Sequence, residues 1–284
     1  MKIRHAGMLV LAAALIAAAS GAALAQDAAQ PIPGAAQPDL DTARPNPLLN
    51  RRGWEAGGQI SSYRYEEPNF MKLTGGRIGG VGAYTFTHPS RVYTRIDLRA
   101  SFGLLDYESV GTGTKDDVPD FITEARVVVG WDYLAGESVA LSPYIGFGYR
   151  YLYNDLSGYS STGAVGYERY SHYIYVPIGV TLRIRAAERL VIAPTLEYDW
   201  FLRGRQESYL SDTGLGYSDA TNTQKNGRGY RAYLMFETRR WALGPYTHYW
   251  KIKDSDVVQI APGTFALEPE NTTREYGVEF RWRF

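Results

Sequence analysis

Apolar and charged residues alternate most clearly in the C-terminal stretch of the chain, residues 274–284. One parity is apolar and consists of Tyr276, Val278, Phe280, Trp282 and Phe284. The other parity is ionic and holds Glu275, Glu279, Arg281 and Arg283. Because successive side chains of a strand point to opposite faces, this pattern predicts a β-strand with one apolar face and one charged face.

The same alternation recurs along the chain, which predicts an all-β fold. Five stretches show it clearly, at 92–104, 121–133, 141–153, 174–184 and 192–202. Weaker versions occur at 78–86, 230–237 and 243–253, and the least regular one lies at 54–65. Together with the C-terminal stretch these segments predict ten strands, with eight or twelve as the alternatives.

The connections between these strands alternate in length. Short connections lie near 88–90, 135–137, 186–188 and 239–240. Long polar stretches lie at 66–75, 106–119, 154–169, 204–227 and 254–272. Short turns at one end and long loops at the other are typical of up-and-down membrane barrels.

The apolar parity is bulky on nearly every predicted strand, which is too much side chain for the interior of a small barrel. The ionic parity mixes signs at close spacing, as in Arg95, Asp97 and Arg99. We therefore predict a closed antiparallel transmembrane β-barrel whose apolar side chains face lipid, since a sheet in lipid must leave no open edge. The alternative is a soluble barrel with an apolar lumen, of the lipocalin type.

The alternating aromatics of Tyr276, Val278, Phe280, Trp282 and Phe284 resemble the C-terminal strand of bacterial outer-membrane β-barrel proteins of the porin-like and opacity types. The resemblance implies that these residues act as an assembly signal. It also implies outer-membrane lipid, lipopolysaccharide, periplasmic chaperones and the barrel-assembly machinery as partners.

The N-terminal residues have a different composition. Lys2 and Arg4 precede an apolar run, and Ala23-Leu24-Ala25 follows it, so we predict a cleaved signal peptide at 1–25. Residues 26–50 are rich in Ala, Pro and Gln and predict a disordered periplasmic leader, with a plug for the barrel or a cell-wall contact as alternatives. Residues 51–284 then form the barrel, and the predicted location is the outer membrane of a Gram-negative bacterium.

Composition excludes several functional classes. Lys+Arg and Asp+Glu both number 30, so no overall field favours nucleic acid. The chain has no cysteine, which excludes disulfides and a lipoprotein anchor. No motif predicts a metal site or a cofactor.

The inward ionic parity supplies the candidate site residues. They are Arg95, Asp97, Arg99, Glu124, Arg126, Arg150, Arg183, Glu197, Asp199, Arg203, Arg231, Glu237, His248, Glu279 and Arg281. We interpret them as an ion-pair network that fills a narrow lumen, and the alternative is a selective pore or a solute site. Open aqueous channels belong mostly to barrels of about 16–18 strands, so ten strands favour a filled lumen.

Strand number and size are similar to those of the omptins, which are outer-membrane proteases, but we find none of their motifs. His88 lies in a predicted turn, His172 on the lipid parity and His248 on the inward parity. His88-Pro89-Ser90 has the letters of the His-x-Ser pair of membrane lipid deacylases, but in a turn at the wrong end. The sequence therefore predicts a non-enzymatic protein, either a narrow porin-like channel or a surface-exposed binding barrel. A hydrolase with a rim active site is the alternative.

Overall fold

A computed structural model of the protein describes residues 46–284. The predicted signal peptide at 1–25 and residues 26–45 of the predicted leader lie outside these residues. The described chain forms a closed antiparallel β-barrel with ten wall strands, as the sequence predicts. Across this part of the chain, no helix is both long and apolar enough to cross a membrane.

The strands follow the alternating stretches of the sequence but are longer than predicted. In chain order they are β1 (Gly53–Glu67), β2 (Met71–Thr87), β3 (Val92–Ser109), β4 (Gly113–Trp131), β5 (Tyr133–Leu134), β6 (Val139–Tyr159), β7 (Val165–Ala187), β8 (Leu190–Ser208), β9 (Ala220–Gln224), β10 (Gly227–Glu237), β11 (Trp241–Ile252), β12 (Val257–Ala261), β13 (Thr264–Leu267) and β14 (Asn271–Arg283). A single 3-10 turn spans Leu210–Thr213.

Neighbouring wall strands pair with each other around the barrel, and the last one closes it. β14 pairs with β1 from Glu55 opposite Arg283 to Glu66 opposite Thr272. The short β5 pairs with β6, β9 pairs with β8 next to β10, and β12 and β13 form a separate hairpin. Closure leaves no unpaired edge among the ten wall strands of the described chain, which is the condition for a sheet to span a membrane.

The outer face of the barrel carries an exposed apolar belt. Ile60, Ile78, Ile145 and Leu196 are each more than half exposed. The residues of the predicted assembly signal also face outward, with exposures of 40% for Phe280 to 70% for Phe284. Water would make this belt unfavourable by about 25 cal/mol per Å² of apolar surface, whereas lipid removes that cost. The exposure pattern therefore agrees with the predicted transmembrane barrel.

Three of the five predicted long loops are wrong. Residues 66–75, 106–119 and 154–169 belong mostly to strands, which are joined by tight connections at 68–70, 110–112 and 160–164. The physical reason is that the alternation inverts at this end of the barrel. Here polar side chains such as Lys72 and Asp106 face outward, while apolar ones face inward, so the segments are polar in composition and yet regular strands.

The inward apolar side chains of this end pack into one core. Its members include Tyr63, Leu73, Leu105, Val118, Ile122, Leu152, Leu156, Tyr175, Phe201, Trp250 and Ile252. The lumen at the long-loop end is therefore filled like the interior of a soluble protein.

Residues 46–50 belong to the barrel rather than to a disordered leader. Leu48 is fully buried against Ala140 and Val191. The backbone and side-chain nitrogens of Asn50 donate hydrogen bonds of 2.7 Å to the Asp132 carboxylate. Residues 46–50 of the predicted leader 26–50 therefore pack at the short-turn end of the barrel, held by Leu48 and Asn50. The sequence did not predict this packing because these residues show no alternation.

Candidate functional site

The inward parity of the strands brings the predicted ionic residues into one lumen, with one exception. The structure places inside the barrel Arg95, Asp97, Arg99, Glu124, Arg126, Arg150, Arg183, Glu197, Asp199, Arg231, Glu237, His248, Glu279 and Arg281. Because signs are mixed, most of these charges have a partner of opposite sign within the lumen.

Arg203 is the exception, and it is exposed on the outer face. In the pairing of β7 with β8, Ile174 lies opposite Arg203 while Tyr175 lies opposite Phe201. Leu202 is therefore the extra residue of a β-bulge, which shifts the parity of β8 by one position. Sequence alternation alone gives no sign of such a shift.

The centre of the lumen network is Arg231. Its Nε lies 2.7 Å from Asp199 Oδ2 and 3.1 Å from Glu197 Oε1. Its Nη1 donates a hydrogen bond of 2.8 Å to Glu124 Oε2, and its Nη2 donates one of 2.9 Å to the Tyr175 hydroxyl. The whole cluster is excluded from solvent, and Arg231 contacts all three of its buried carboxylates. Arg126 adds a second cation to Glu197, at 2.6 Å.

A second group of contacts surrounds Arg99. Its Nε donates to Gln59 Oε1 at 2.8 Å, and its other nitrogens contact Glu275 and, at 3.0 Å, His248 Nδ1. The other ring nitrogen of His248 lies 2.6 Å from the Tyr233 hydroxyl. His248 is therefore a fully engaged member of a buried network, with no open side to a substrate.

Several buried members of this network escaped the sequence prediction. Glu55 contacts Arg95 at 2.6 Å and Arg283 at 2.8 Å, and Arg77 pairs with Asp120. Glu55 lies within the predicted strand 54–65, and Arg77 and Asp120 each lie one residue before a predicted strand, 78–86 and 121–133, so parity was the available signal. Arg150 is buried without a hydrogen-bond partner, and its guanidinium lies 5.6 Å from the Trp250 ring.

A separate cavity of about 330 Å³ opens at the long-loop end, and we call it the rim cavity. Its walls come from the ends of several strands and the turns between them. The apolar lining consists of Phe70, Met71, Tyr107, Leu156, Val165 and Leu267, and the charged lining of Glu67, Lys115, Arg169 and Glu268. Sequence analysis missed this site because the residues are far apart in the chain and lie in stretches interpreted as loops.

Three charged side chains of the lining, Glu67, Arg169 and Glu268, form one cluster with Tyr65, which lies next to the lining. Arg169 Nη2 donates a hydrogen bond of 2.8 Å to Glu67 Oε1 and also contacts Glu268. The Tyr65 hydroxyl lies 2.8 Å from Glu67 Oε1 and 3.1 Å from Glu268 Oε1, within hydrogen-bond distance of both carboxyl groups. Burial raises the pKa of Glu268 to about 7, with Arg169 opposing and Glu67 adding to the shift.

The raised pKa of Glu268 predicts that this cluster weakens as pH rises. Native Glu268 keeps its proton up to about pH 7, whereas the unfolded chain releases it near the ordinary value, so the native state binds more protons in between. The stabilisation is complete below the ordinary pKa and is lost as pH rises through about 7. We expect residues 255–271 to become less protected by about 1–3 kcal/mol between pH 5 and pH 8, measured by hydrogen exchange corrected for the intrinsic rate.

Glu268→Gln should abolish this pH dependence, because the amide imitates the neutral acid. Glu270→Gln is the matched control, since Glu270 is an exposed neighbour whose pKa is lowered by hydrogen bonds from Lys251 and Lys253. A slope that survives in Glu268→Gln would show that another group titrates.

The histidines lie away from the rim cavity. His88 Nδ1 lies 2.8 Å from Ser90 Oγ in the turn at the short-turn end. His172 faces outward, with Nδ1 2.6 Å from the Tyr149 hydroxyl. Within residues 46–284, no group of three or more His, Cys, Asp or Glu side chains could hold a metal ion. The lining of the rim cavity therefore offers two carboxylates, an arginine, a lysine and two tyrosines, but no histidine.

The fold is that of the bacterial outer-membrane β-barrels. The outer membrane protease OmpT of Escherichia coli superposes with a TM-score of 0.54 at 12% identity, over 82% of this chain and 97% of OmpT. The attachment invasion locus protein Ail of Yersinia pestis gives a TM-score of 0.33 at 9% identity, over 82% of this chain and 100% of Ail. No protein-family model and no curated protein sequence matches the chain. At these identities the likeness concerns the fold alone.

Proposed function

We propose that this protein is a non-enzymatic binding barrel of the bacterial outer membrane that holds a small molecule in the rim cavity. The observation that carries the proposal is the position of that cavity directly above a filled lumen. The predicted signal peptide would direct the chain to the periplasm for assembly.

The filled lumen argues against the predicted narrow channel. Leu105, Ile122, Tyr175 and Trp250 are each at most 1% exposed and pack inside the barrel. The buried charged clusters around Arg231 and Arg99 lie next to this core, and a cavity of about 140 Å³ remains in the lumen at the short-turn end, lined by Arg95, Arg183 and Arg281 among others. A continuous water path would have to displace this core, which is costly at protein packing density.

The rim cavity has the properties of a small-molecule site. Its volume of about 330 Å³ lies within the usual range of ligand pockets, and its apolar walls surround one polar cluster. Above about pH 7, where Glu268 is ionised, that cluster has two carboxylates for one arginine. Lys115, the other cation of the lining, donates to the carbonyl oxygens of Leu156 and Ser157, so at this pH the cluster favours a donor over an anion. We therefore assign it a mainly apolar ligand that carries one amino or hydroxyl group.

Fluorine NMR with 4-fluorophenethylamine as probe tests this proposal on the purified full-length protein in detergent. We expect the probe signal to broaden on binding, and Ala164→Trp to weaken binding at least tenfold, because Ala164 lines the cavity. Leu215→Trp is the matched control, since Leu215 is exposed on another loop and should leave binding unchanged. The anion 4-fluorophenylacetate should bind more weakly than the amine.

Two results would overturn the proposal. Equal broadening with all three proteins would mean that the probe partitions into detergent rather than into the cavity. Steady single-channel conductance in planar bilayers would show an open lumen and favour the channel function instead.

A further inference from the structure

The face of the barrel at the short-turn end is strongly basic, although the chain as a whole is neutral. We call it the basic face, and it comprises the start of the described chain, the four short turns and the strand ends next to them. Its exposed acidic side chains are Glu137 and Glu188. Its cations, all exposed except for the half-buried first one, are Arg51, Arg52, Arg91, Arg185, Arg189, Arg239 and Arg240. Seven arginines against two glutamates leave a surplus of five positive charges.

The arginines of the basic face have no ionic partner. Within residues 46–284, none of the seven forms an ion pair. The charges deeper in the same end of the barrel differ in this respect. Arg183 and Arg283 lie 3.6 Å and 3.1 Å from Glu237 Oε2, and Arg283 also lies 2.8 Å from Glu55. The lumen therefore neutralises its own charges, whereas the basic face keeps its surplus for a partner outside the protein.

The first described residues join two of the turns into one surface. Arg185 Nη2 donates a hydrogen bond of 3.4 Å to Asn46 Oδ1, and Arg51 Nη1 donates one to the carbonyl oxygen of Arg239. The buried side chain of Leu48 fixes the backbone between these two contacts. The arginines of the β7–β8 turn and of the β10–β11 turn are therefore held on the same rigid face.

The basic face offers separate cations rather than one pocket. The cavity of about 140 Å³ at this end has only Arg51 of the seven arginines in its lining. A single exposed ion pair contributes at most about 1 kcal/mol. Several such pairs at separate points act together when the partner is a polymer with many anions, so this arrangement favours a polyanion over a small ion.

Outward tryptophans place the turns relative to the membrane. Trp54, Trp131 and Trp282 are exposed and lie between the short turns and the apolar belt. Tryptophan belts mark the boundary between hydrocarbon and water. The arginines in the turns therefore lie on the aqueous side of that boundary, which is the periplasmic side in barrels with short periplasmic turns.

We infer that the basic face binds the carboxylates of peptidoglycan, the anionic polymer of the periplasm. Guanidinium groups bind carboxylates in a bidentate way, which an ammonium group cannot do, and every cation of the face is an arginine. The stem peptides of the polymer repeat their carboxylates along each glycan strand and so reach several turns at once. The contact would attach the barrel to the cell wall, and it does not depend on a ligand in the rim cavity.

Cosedimentation of the purified full-length protein in detergent with isolated peptidoglycan sacculi tests this inference. The second probe is a preparation of the same sacculi with their carboxylates converted to amides. We expect the wild type to bind the untreated sacculi at least tenfold more tightly than the amidated ones. The difference should shrink at about 1 M salt, where the Debye length falls to about 3 Å.

The triple variant R189Q/R239Q/R240Q should bind untreated sacculi at least tenfold more weakly than the wild type. All three side chains are exposed and lie in turns, so their loss leaves the barrel core intact. The variant keeps residues 26–45, so a loss of binding comes from the turns and not from the predicted leader. Heat-dependent migration on SDS gels checks that it is folded. If it does not fold, R189Q alone should weaken binding by about threefold, and no weakening counts against the inference.

The matched control is R64Q/R203Q/R228Q, which removes three exposed arginines outside the basic face and should bind sacculi like the wild type. An equal loss in this control would overturn the inference, because overall charge rather than the face would then decide binding. Equal binding of untreated and amidated sacculi, or unchanged binding by the triple variant, would overturn it as well. Binding that disappears in nanodiscs with phosphatidylglycerol would also do so, because the arginines would then prefer lipid phosphate.

Discussion

Arg231→Met is expected to destabilise the barrel by about 3–5 kcal/mol, because Arg231 is the only cation among residues 46–284 that contacts all three carboxylates of the central cluster. Glu124 and Asp199 would remain buried without the arginine that pairs with them, whereas Glu197 would keep its contact of 2.6 Å with Arg126. Methionine fills a similar volume, so the loss reflects charge rather than a cavity. The free energy of unfolding is measured in urea, with tryptophan fluorescence as the signal, for protein in detergent or vesicles.

Arg203→Met is the matched control for this substitution. Arg203 lies on the outer face of β8, only four residues from Asp199, and its change should stay within about 0.5 kcal/mol. The double variant Arg231→Met/Glu124→Gln should recover part of the loss, because one uncompensated charge is removed. If Arg231→Met costs less than about 1 kcal/mol, water must reach the cluster, and the lumen would then be less tightly filled than its packing indicates.

The transmembrane wall could be predicted from the sequence because lipid imposes one rule along every strand. Each outward position at that level must be apolar, as Ile145 and Val278 are, and each inward one must share space with charges. The same rule correctly predicted that Arg99, Glu124 and Arg231 face the lumen. It could not identify their partners, since parity gives the face of a residue and not its neighbour across the lumen.

The upper part of the barrel could not be predicted because its solvent changes. Outside the lipid, the outward side chains face water and the inward ones pack on each other, so Lys72 and Asp106 face outward while Leu73 and Leu105 face inward. In this region the polar side chains are outside and the apolar ones inside. Such a stretch resembles a loop when the rule of the membrane region, apolar outside and charged inside, is applied to it. The rim cavity lies in this region, which is why its residues were not among the predicted site.

The prediction that Arg203 faces the lumen failed for a different reason, the bulge at Leu202. One additional residue in β8 turns Arg203 outward, and the alternation on either side of the bulge looks regular when considered alone. Only the register against β7 shows that the parity has changed. Without this shift, β8 would point Arg203 into the lumen, as the sequence alternation predicts.

Four inward tyrosines lie flat on glycines of the neighbouring strand, and this packing limits what the lumen wall tolerates. The pairs are Tyr93 with Gly130, Tyr144 with Gly179, Tyr175 with Gly148, and Tyr246 with Gly277. In each pair the two residues are directly opposite in the sheet. The absence of a side chain on the glycine lets the ring lie against the backbone and direct its hydroxyl toward the centre of the lumen.

Gly148→Val is therefore expected to destabilise the barrel by about 3–5 kcal/mol. A Cβ at Gly148 would lie 2.2 Å from Cζ of Tyr175, so the ring must move. Overpacking of this kind costs about 1–3 kcal/mol. The displaced hydroxyl would also lose its bonds to Glu124 and Arg231, which adds about 1.5–3 kcal/mol for a hydrogen bond to a charged group. Urea unfolding followed by tryptophan fluorescence measures the change.

Gly76→Val is the matched control for Gly148→Val, because a Cβ at Gly76 meets nothing within 4 Å. That substitution should be neutral or slightly stabilising, since valine favours a strand and glycine weakens it. The double variant Gly148→Val/Tyr175→Leu should recover the overpacking part of the loss but not the hydrogen-bond part. A Gly148→Val protein as stable as Gly76→Val would mean that the Tyr175 ring moves freely, which is incompatible with a rigid central cluster around Arg231.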